Sequence, residues 1–162
     1  MKMNEQQLFE AFEKVIDAKV YNKLKDTIVL HDGDTYRLFE KYGIEHSEGM
    51  YLVSKLTSDA VHSFSSLKYA VTWVTLDNNN SIYDANRILE LDGKLTGLDM
   101  GIKLYERYDR RTKDTNLRFI YFNKLCEAKL KKRHIVTELE QVTARTKERQ
   151  LKKFSQSSYK LK

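Results

Sequence analysis

Carboxylates, histidines and a single cysteine are the side chains of this sequence with the potential for chemistry. Glu90, Asp92 and Asp99 lie close together in ELDGKLTGLD. If they converged on one cation they would suit a metal-dependent nuclease. Acidic residues scattered along a solvated helix explain them more simply. His31, Asp32 and Asp34 cluster beside a turn. A calcium loop would need further acidic residues and a distal glutamate, which this stretch lacks, so polar turn chemistry is the better account. His46, His62 and His134 are isolated and read as surface or internally satisfied residues. Cys126, in KLCEAKLKK, has no histidine nearby in sequence to activate it and reads as a small half-buried residue. No phosphate-binding glycine loop, nucleophile elbow, paired-cysteine zinc spacing or kinase signature is present. The expectation is a chain that is not an enzyme, with no cofactor and no metal.

Binding chemistry is better represented. From Lys124 to Lys162 there are 12 Lys/Arg against 4 Asp/Glu, whereas the whole chain carries a net charge of +6. The basic residues are Lys124, Lys129, Lys131, Lys132, Arg133, Arg145, Lys147, Arg149, Lys152 and Lys153, with Lys160 and Lys162 beyond them. Such a concentration points to an anionic partner. A solvated helix face with a soluble tail is the bland alternative. Phe154 and Tyr159 sit among these charges, and aromatics beside basic residues can stack on nucleic-acid bases.

Gly93, Gly97 and Gly101 recur every four residues. On a helix they share one face, and each costs about 1 kcal/mol relative to alanine. The spacing predicts close packing of another helix on that face. The alternative is a turn at Asp92-Gly93 that breaks the segment in two.

The elements that must position these residues follow from periodicity and from the absence of proline in 162 residues. Leu8, Phe9, Phe12, Val15, Ile16, Val20 and Leu24 predict an amphipathic helix over 5–25, opened by an Asn4/Gln7 capping box. Thr27–His31, Thr35–Tyr42 and Met50–Leu56 read as two or three strands of a small antiparallel sheet, with Asp32-Gly33 as a hairpin turn. A helix-turn-helix over 38–56 is a rival, but Phe39 and Gly49 fit it poorly. Thr57-Ser58-Asp59 offers caps for a helix whose apolar positions run from Phe64 to Val74, with Trp73 partly buried. A strand over 69–76 is its alternative. Asn78-Asn79-Asn80 ends the element.

Ser81, with Asp84 as capping-box partner, opens a long helix to about Arg111. A second runs from about Asn116 to Phe154, with Leu117, Tyr121, Leu125, Ala128, Ile135, Leu139 and Val142 on a seven-residue repeat. LRFIYF (117–122) alone would read as a strand. After Val142 the seam positions become Thr146, Arg149 and Lys153, so this part is expected to add little to the fold.

Together these elements make a mainly helical α+β fold: an N-terminal helix, a small antiparallel β element, a short helix and a long antiparallel helical hairpin. The expected divisions are a mixed part over 1–80, the hairpin over 81–154 and a basic tail over 155–162. No stretch is long and apolar enough to span a membrane, and the N-terminus lacks a secretory leader's apolar run. One cysteine allows no internal disulfide, which fits synthesis in a reducing compartment.

The mixed N-terminal part, the stretches SLKYAVTW and RILELDGKLTGLD, and the long basic C-terminal helix resemble small proteins of tailed bacteriophages over roughly residues 27–142. The resemblance implies virion assembly or DNA handling. It also implies the host cytoplasm at synthesis and the virion as a later destination. The function expected is a structural or assembly component that binds other protein subunits. A nucleic-acid-binding accessory protein, acting on DNA or RNA in packaging or recombination, is the second expectation.

Overall fold

Asn4 opens the first helix as the sequence predicts. Its side chain accepts the backbone N–H of Gln7 at 2.8 Å, and the Gln7 side chain accepts the Asn4 N–H at 3.1 Å. The structure is a computed structural model that describes residues 4–16, 29–31 and 35–160. For 5, 29–31 and 150–160 it describes the backbone only. Helix α1 is Glu5–Val15. It buries Leu8, Ala11, Phe12 and Val15, an i, i+3, i+4, i+7 set. Residues 17–25 of the expected helix, and the Asp32-Gly33 turn with Asp34, lie outside the described residues.

The sheet has five strands, β1 (Val29–His31), β2 (Thr35–Leu38), β3 (Tyr42–Ser47), β4 (Met50–Lys55) and β5 (Val61–Phe64). They form an antiparallel meander in chain order. Tyr36 pairs with Ile44, Ile44 with Val53 and Val53 with His62. Tyr36, Ile44 and Val53 are buried with Phe64, so one face covers the core. Two turns separate β2, β3 and β4. Glu48 and Gly49 both have positive φ, 51° and 79°, and join β3 to β4 in the tight turn that matches strand twist. Phe39 and Glu40 also have positive φ, 52° and 60°, and end the expected strand 35–42 at Leu38, so that β3 starts anew at Tyr42. The Phe39 ring stands edge-on to Phe12 at 6.2 Å, a tertiary contact that offsets the unfavourable backbone. The helix-turn-helix alternative does not form, because its span is β3, β4 and their turn.

Residues 57–59 belong to the β4–β5 connection and cap no helix. Helix α2 (Leu67–Asn78) starts later, with Ser66 accepting from the Tyr69 N–H at 3.3 Å. Helix α3 is Ile82–Arg111 and α4 is Thr115–Lys160. Asp114 caps α4 by accepting the N–H groups of Asn116 and Leu117. LRFIYF is therefore helical. α3 and α4 form the long antiparallel hairpin of a mainly helical α+β fold, joined by a three-residue loop over 112–114.

One core draws on every layer. It joins Leu8, Phe12 and Val15 of α1, the inner face of the sheet, most of α2, the first half of α3 (Ala85, Ile88, Leu91, Leu95) and Leu139 and Val142 of α4. Thr72, Thr75, Thr143 and Thr146 are also buried, and each hydroxyl donates to the carbonyl four residues back. Beyond Leu95 the hairpin leaves this body. A small second cluster of Ile102, Leu125 and Ala128, flanked by Leu98 and Tyr105, holds its outer part together.

Three expectations about α3 are corrected. It runs unbroken through Gly93, so no turn divides it. Nor does another helix press on the glycines: a Cβ at Gly93, Gly97 or Gly101 would meet nothing within 4 Å. Ser81 makes no side-chain cap bond, so the expected capping box is absent as well.

Candidate interaction surface

The charges of α4 divide into those that zip the hairpin and those left outside it. Asp84, in the first turn of α3, is 4% exposed. It accepts from Arg149 at 2.5 Å through one oxygen and from Arg145 at 3.3 Å through the other. That demand, together with the favourable field at a helix N-terminus, explains why Asp84 does not reach back to Ser81. Arg87 of α3 donates twice to Glu138 of α4, both at 2.8 Å. Lys132 meets Asp99 at 2.7 Å, and Lys129 approaches Glu106 at 3.9 Å. Lys147 donates to the Glu13 carbonyl of α1 at 3.4 Å. Five of the ten basic residues singled out by sequence therefore have acceptors within the chain. Lys124, Lys131 and Arg133 are exposed and make no ion pair among the described residues. The side chains of Lys152 and Lys153 lie outside the described residues, as do those of Phe154 and Tyr159.

The carboxylates that sequence placed in a possible nuclease cluster go to separate uses. Glu90 lies between Arg87 (3.1 Å) and Lys94 (3.0 Å), which hold its carboxyl below the ordinary range. Asp92 is buried and accepts the backbone N–H and the hydroxyl of Ser65. Burial raises its pKa, since the charged form is costly there. Asp99 pairs with Lys132. Among the described residues no group of three His, Cys, Asp or Glu is placed to hold a metal.

Several concavities interrupt the described surface. A groove of about 520 Å³ runs along the hairpin between Leu91, Gly97 and Leu98 on α3 and Lys131, His134 and Ile135 on α4. A cavity of about 260 Å³ is lined by Lys55, His62, Trp73, Asp77 and Asn86. Inside it Asp77 binds Lys55 at 3.0 Å and accepts the Tyr42 hydroxyl at 2.5 Å. Burial would raise the Asp77 pKa, but these two donors outweigh it and leave it lowered. Trp73 is almost fully buried rather than partly so, and its indole N–H has no acceptor among the described residues.

Apolar exposure is concentrated at the far end of the hairpin. Of twelve large apolar side chains exposed among the described residues, eight are Met100, Leu104, Tyr108, Leu117, Phe119, Ile120, Phe122 and Leu130. Phe119 is 66% exposed and Phe122 56%. Phe119, Phe122, Cys126 and Leu130 follow at helical spacing, so they share one side of α4, away from the Leu125 and Ala128 side that packs on α3. Met100, Leu104 and Tyr108 likewise share one side of α3. Tyr108 meets Tyr121 across the hairpin at 5.5 Å. Sequence reasoning missed this surface, although its signal was the apolar run LRFIYF, too dense for a helix with only one covered side.

Comparison of the chain with protein families, with characterised proteins and with solved structures gave no match.

Proposed function

We propose that this protein is a non-enzymatic assembly component of a larger complex, docking on other protein subunits through the far end of its α3–α4 hairpin. The observation that carries the reading is the exposure of eight large apolar side chains between Met100 and Leu130. A protein that already closes a core around Leu139 and Ile88 leaves such a patch in water only where something else covers it. The resemblance to small proteins of tailed bacteriophages makes a phage particle the expected complex, with the host cytoplasm as the place of synthesis. The reading needs no cofactor. Among the described residues no helix is long and apolar enough to cross a membrane. The test is incorporation into the particle. Wild-type chain should stay with it through a high-salt wash, whereas Phe119→Ser with Phe122→Ser should leave the chain folded but unincorporated. Equal incorporation of both would refute the reading.

A nucleic-acid-binding accessory role is the second reading, favoured by exposed Lys124, Lys131 and Arg133 on α4. Neutralising all three should weaken binding to every sequence alike. It should also lower the slope of log affinity against log salt by roughly 0.9 for each duplex phosphate that is no longer neutralised. Unchanged binding would remove that role.

A further inference from the structure

Resting on the assembly reading, we infer that the tip of the hairpin is enclosed on several sides by acidic amphipathic helices of a different protein. Two independent features of the tip lead there, one of shape and one of charge.

The first is that exposed apolar side chains point in several directions around the opening turns of α4. Successive residues of a helix are rotated by about 100°. Leu117, Phe119, Ile120 and Phe122 therefore point in four different directions, and all four are exposed. Tyr121, between them, is half-buried beside Tyr108. A single flat surface or one partner helix covers one side of a helix and leaves the others wet. Covering Phe119 and Ile120 together with Leu117 requires apolar surface from at least two neighbouring elements, which is the arrangement of a helix bundle core.

The second is that cations outnumber anions around the loop at the tip, and the anions there are already engaged. Between residues 103 and 118 there are six Lys/Arg, Arg118 among them, against three Asp/Glu. Asp109 pairs with Arg118 at 3.7 Å, Glu106 lies by Lys129, and Asp114 caps α4. Lys103, Arg107, Arg111 and Lys113 form no ion pair among the described residues, and Arg110 donates only to the Glu106 carbonyl. A second copy docked tip to tip would bring these cations against their like. An acidic rim around an apolar lining complements the tip in both respects. Nucleic acid would satisfy the cations, but its phosphates would leave Leu117, Ile120 and Met100 uncovered.

Isothermal titration of the full chain tests this. The probe is a synthetic helix of about three heptads, with leucine on one face and glutamate elsewhere. The expected result is two or more peptides per chain, with no binding of a scrambled peptide of the same composition. Phe119→Ser with Phe122→Ser should weaken binding about tenfold or more at every salt concentration. Arg110→Glu with Arg111→Glu should weaken it and flatten its salt dependence. Circular dichroism melts confirm that both variants fold. A stoichiometry of one, equal binding of the scrambled peptide, or tighter binding of an oligothymidylate that ignores the Phe substitutions would overturn the inference. So would self-association of the wild type that the Phe substitutions disperse. If the peptides fail while the Phe variant still drops out of the particle, this inference falls and the assembly reading stands. If both fail, both fall.

Discussion

Arg149 reaches Asp84 at 2.5 Å although 65 residues separate them, and it binds the turn of α3 that immediately follows α2. With Arg145 on the same carboxylate, it ties a late part of α4 to the start of α3. The guanidinium groups are half-exposed while the carboxylate is buried. Removing the arginines therefore leaves a buried charge with neither partner. Arg145→Ala with Arg149→Ala is expected to destabilise the protein by about 1–3 kcal/mol, read by urea unfolding. Adding Asp84→Asn in that background should recover part of the loss. No loss in the double variant would show that water serves Asp84 equally well.

A chain ending at Val142 should melt lower than the full chain, the reverse of what the apolar seam alone suggests. Thr143 and Thr146 are buried, and Arg145, Lys147 and Arg149 hold Asp84 and α1. At about 2–4 °C per kcal/mol for a chain of this size, a loss of a few kcal/mol should lower Tm by about 5–10 °C. A differential scanning trace matching the full chain would contradict the role given to this segment.

Gly97→Ala should stabilise. The added Cβ meets nothing within 4 Å, and alanine is favoured over glycine in a helix interior by about 1 kcal/mol. Gly93→Ala and Gly101→Ala should behave alike. Denaturant midpoints that fall instead would mean that these positions are constrained by something other than space.

Tyr42 and Tyr69 should titrate last among the tyrosines. Burial raises both, helped by hydrogen bonds to the Asp77 and Glu140 carboxylates and by their charge. A folded-state pKa above the unfolded value of 10.0 means their contribution is complete below pH 10 and disappears as pH rises beyond it. Absorbance at 295 nm should show two of the ten tyrosines ionising only as the fold is lost. Tyr42→Phe should remove one of them from that late phase. Ionisation of all ten in a single early step, with helical signal intact, would refute this.

The helices were legible in the sequence and much of the sheet was not, for identifiable reasons. Period 3.6 is redundant over the 30 residues of α3 and the 46 of α4, so scattered exceptions such as Gly97 or Lys132 do not hide it. The Asn4 cap is local chemistry complete within four residues. The Phe39-Glu40 turn is neither local nor marked by glycine or asparagine, because what holds it is a ring from α1. Val61–Phe64 became a strand because Phe64 joins the core across the sheet, while the capping residues before it matched a helix start equally well. The charge asymmetry was plain, but its meaning depends on which acids of α3 lie opposite. Asp84, Asp99 and Glu106 take four of the cations that sequence assigned to an outside partner. Exposure of Phe119 and Phe122 could not be read before the end of the packed core was known.

Because α4 is one unbroken rod from Asp114 to beyond Arg149, the hairpin works as a spacer of defined reach. From the clamp at Arg145 to the ring of Phe119 is about 40 Å at ~1.5 Å per residue. A tilt of one degree at the clamp swings the far end by roughly 0.7 Å over that span. The part of the hairpin beyond Leu95 is thus a lever rooted in the packing of Leu91, Leu95 and Leu139, with the Asp84 clamp behind that root. A load placed on the tip would be borne by that packing and the two arginine pairs together.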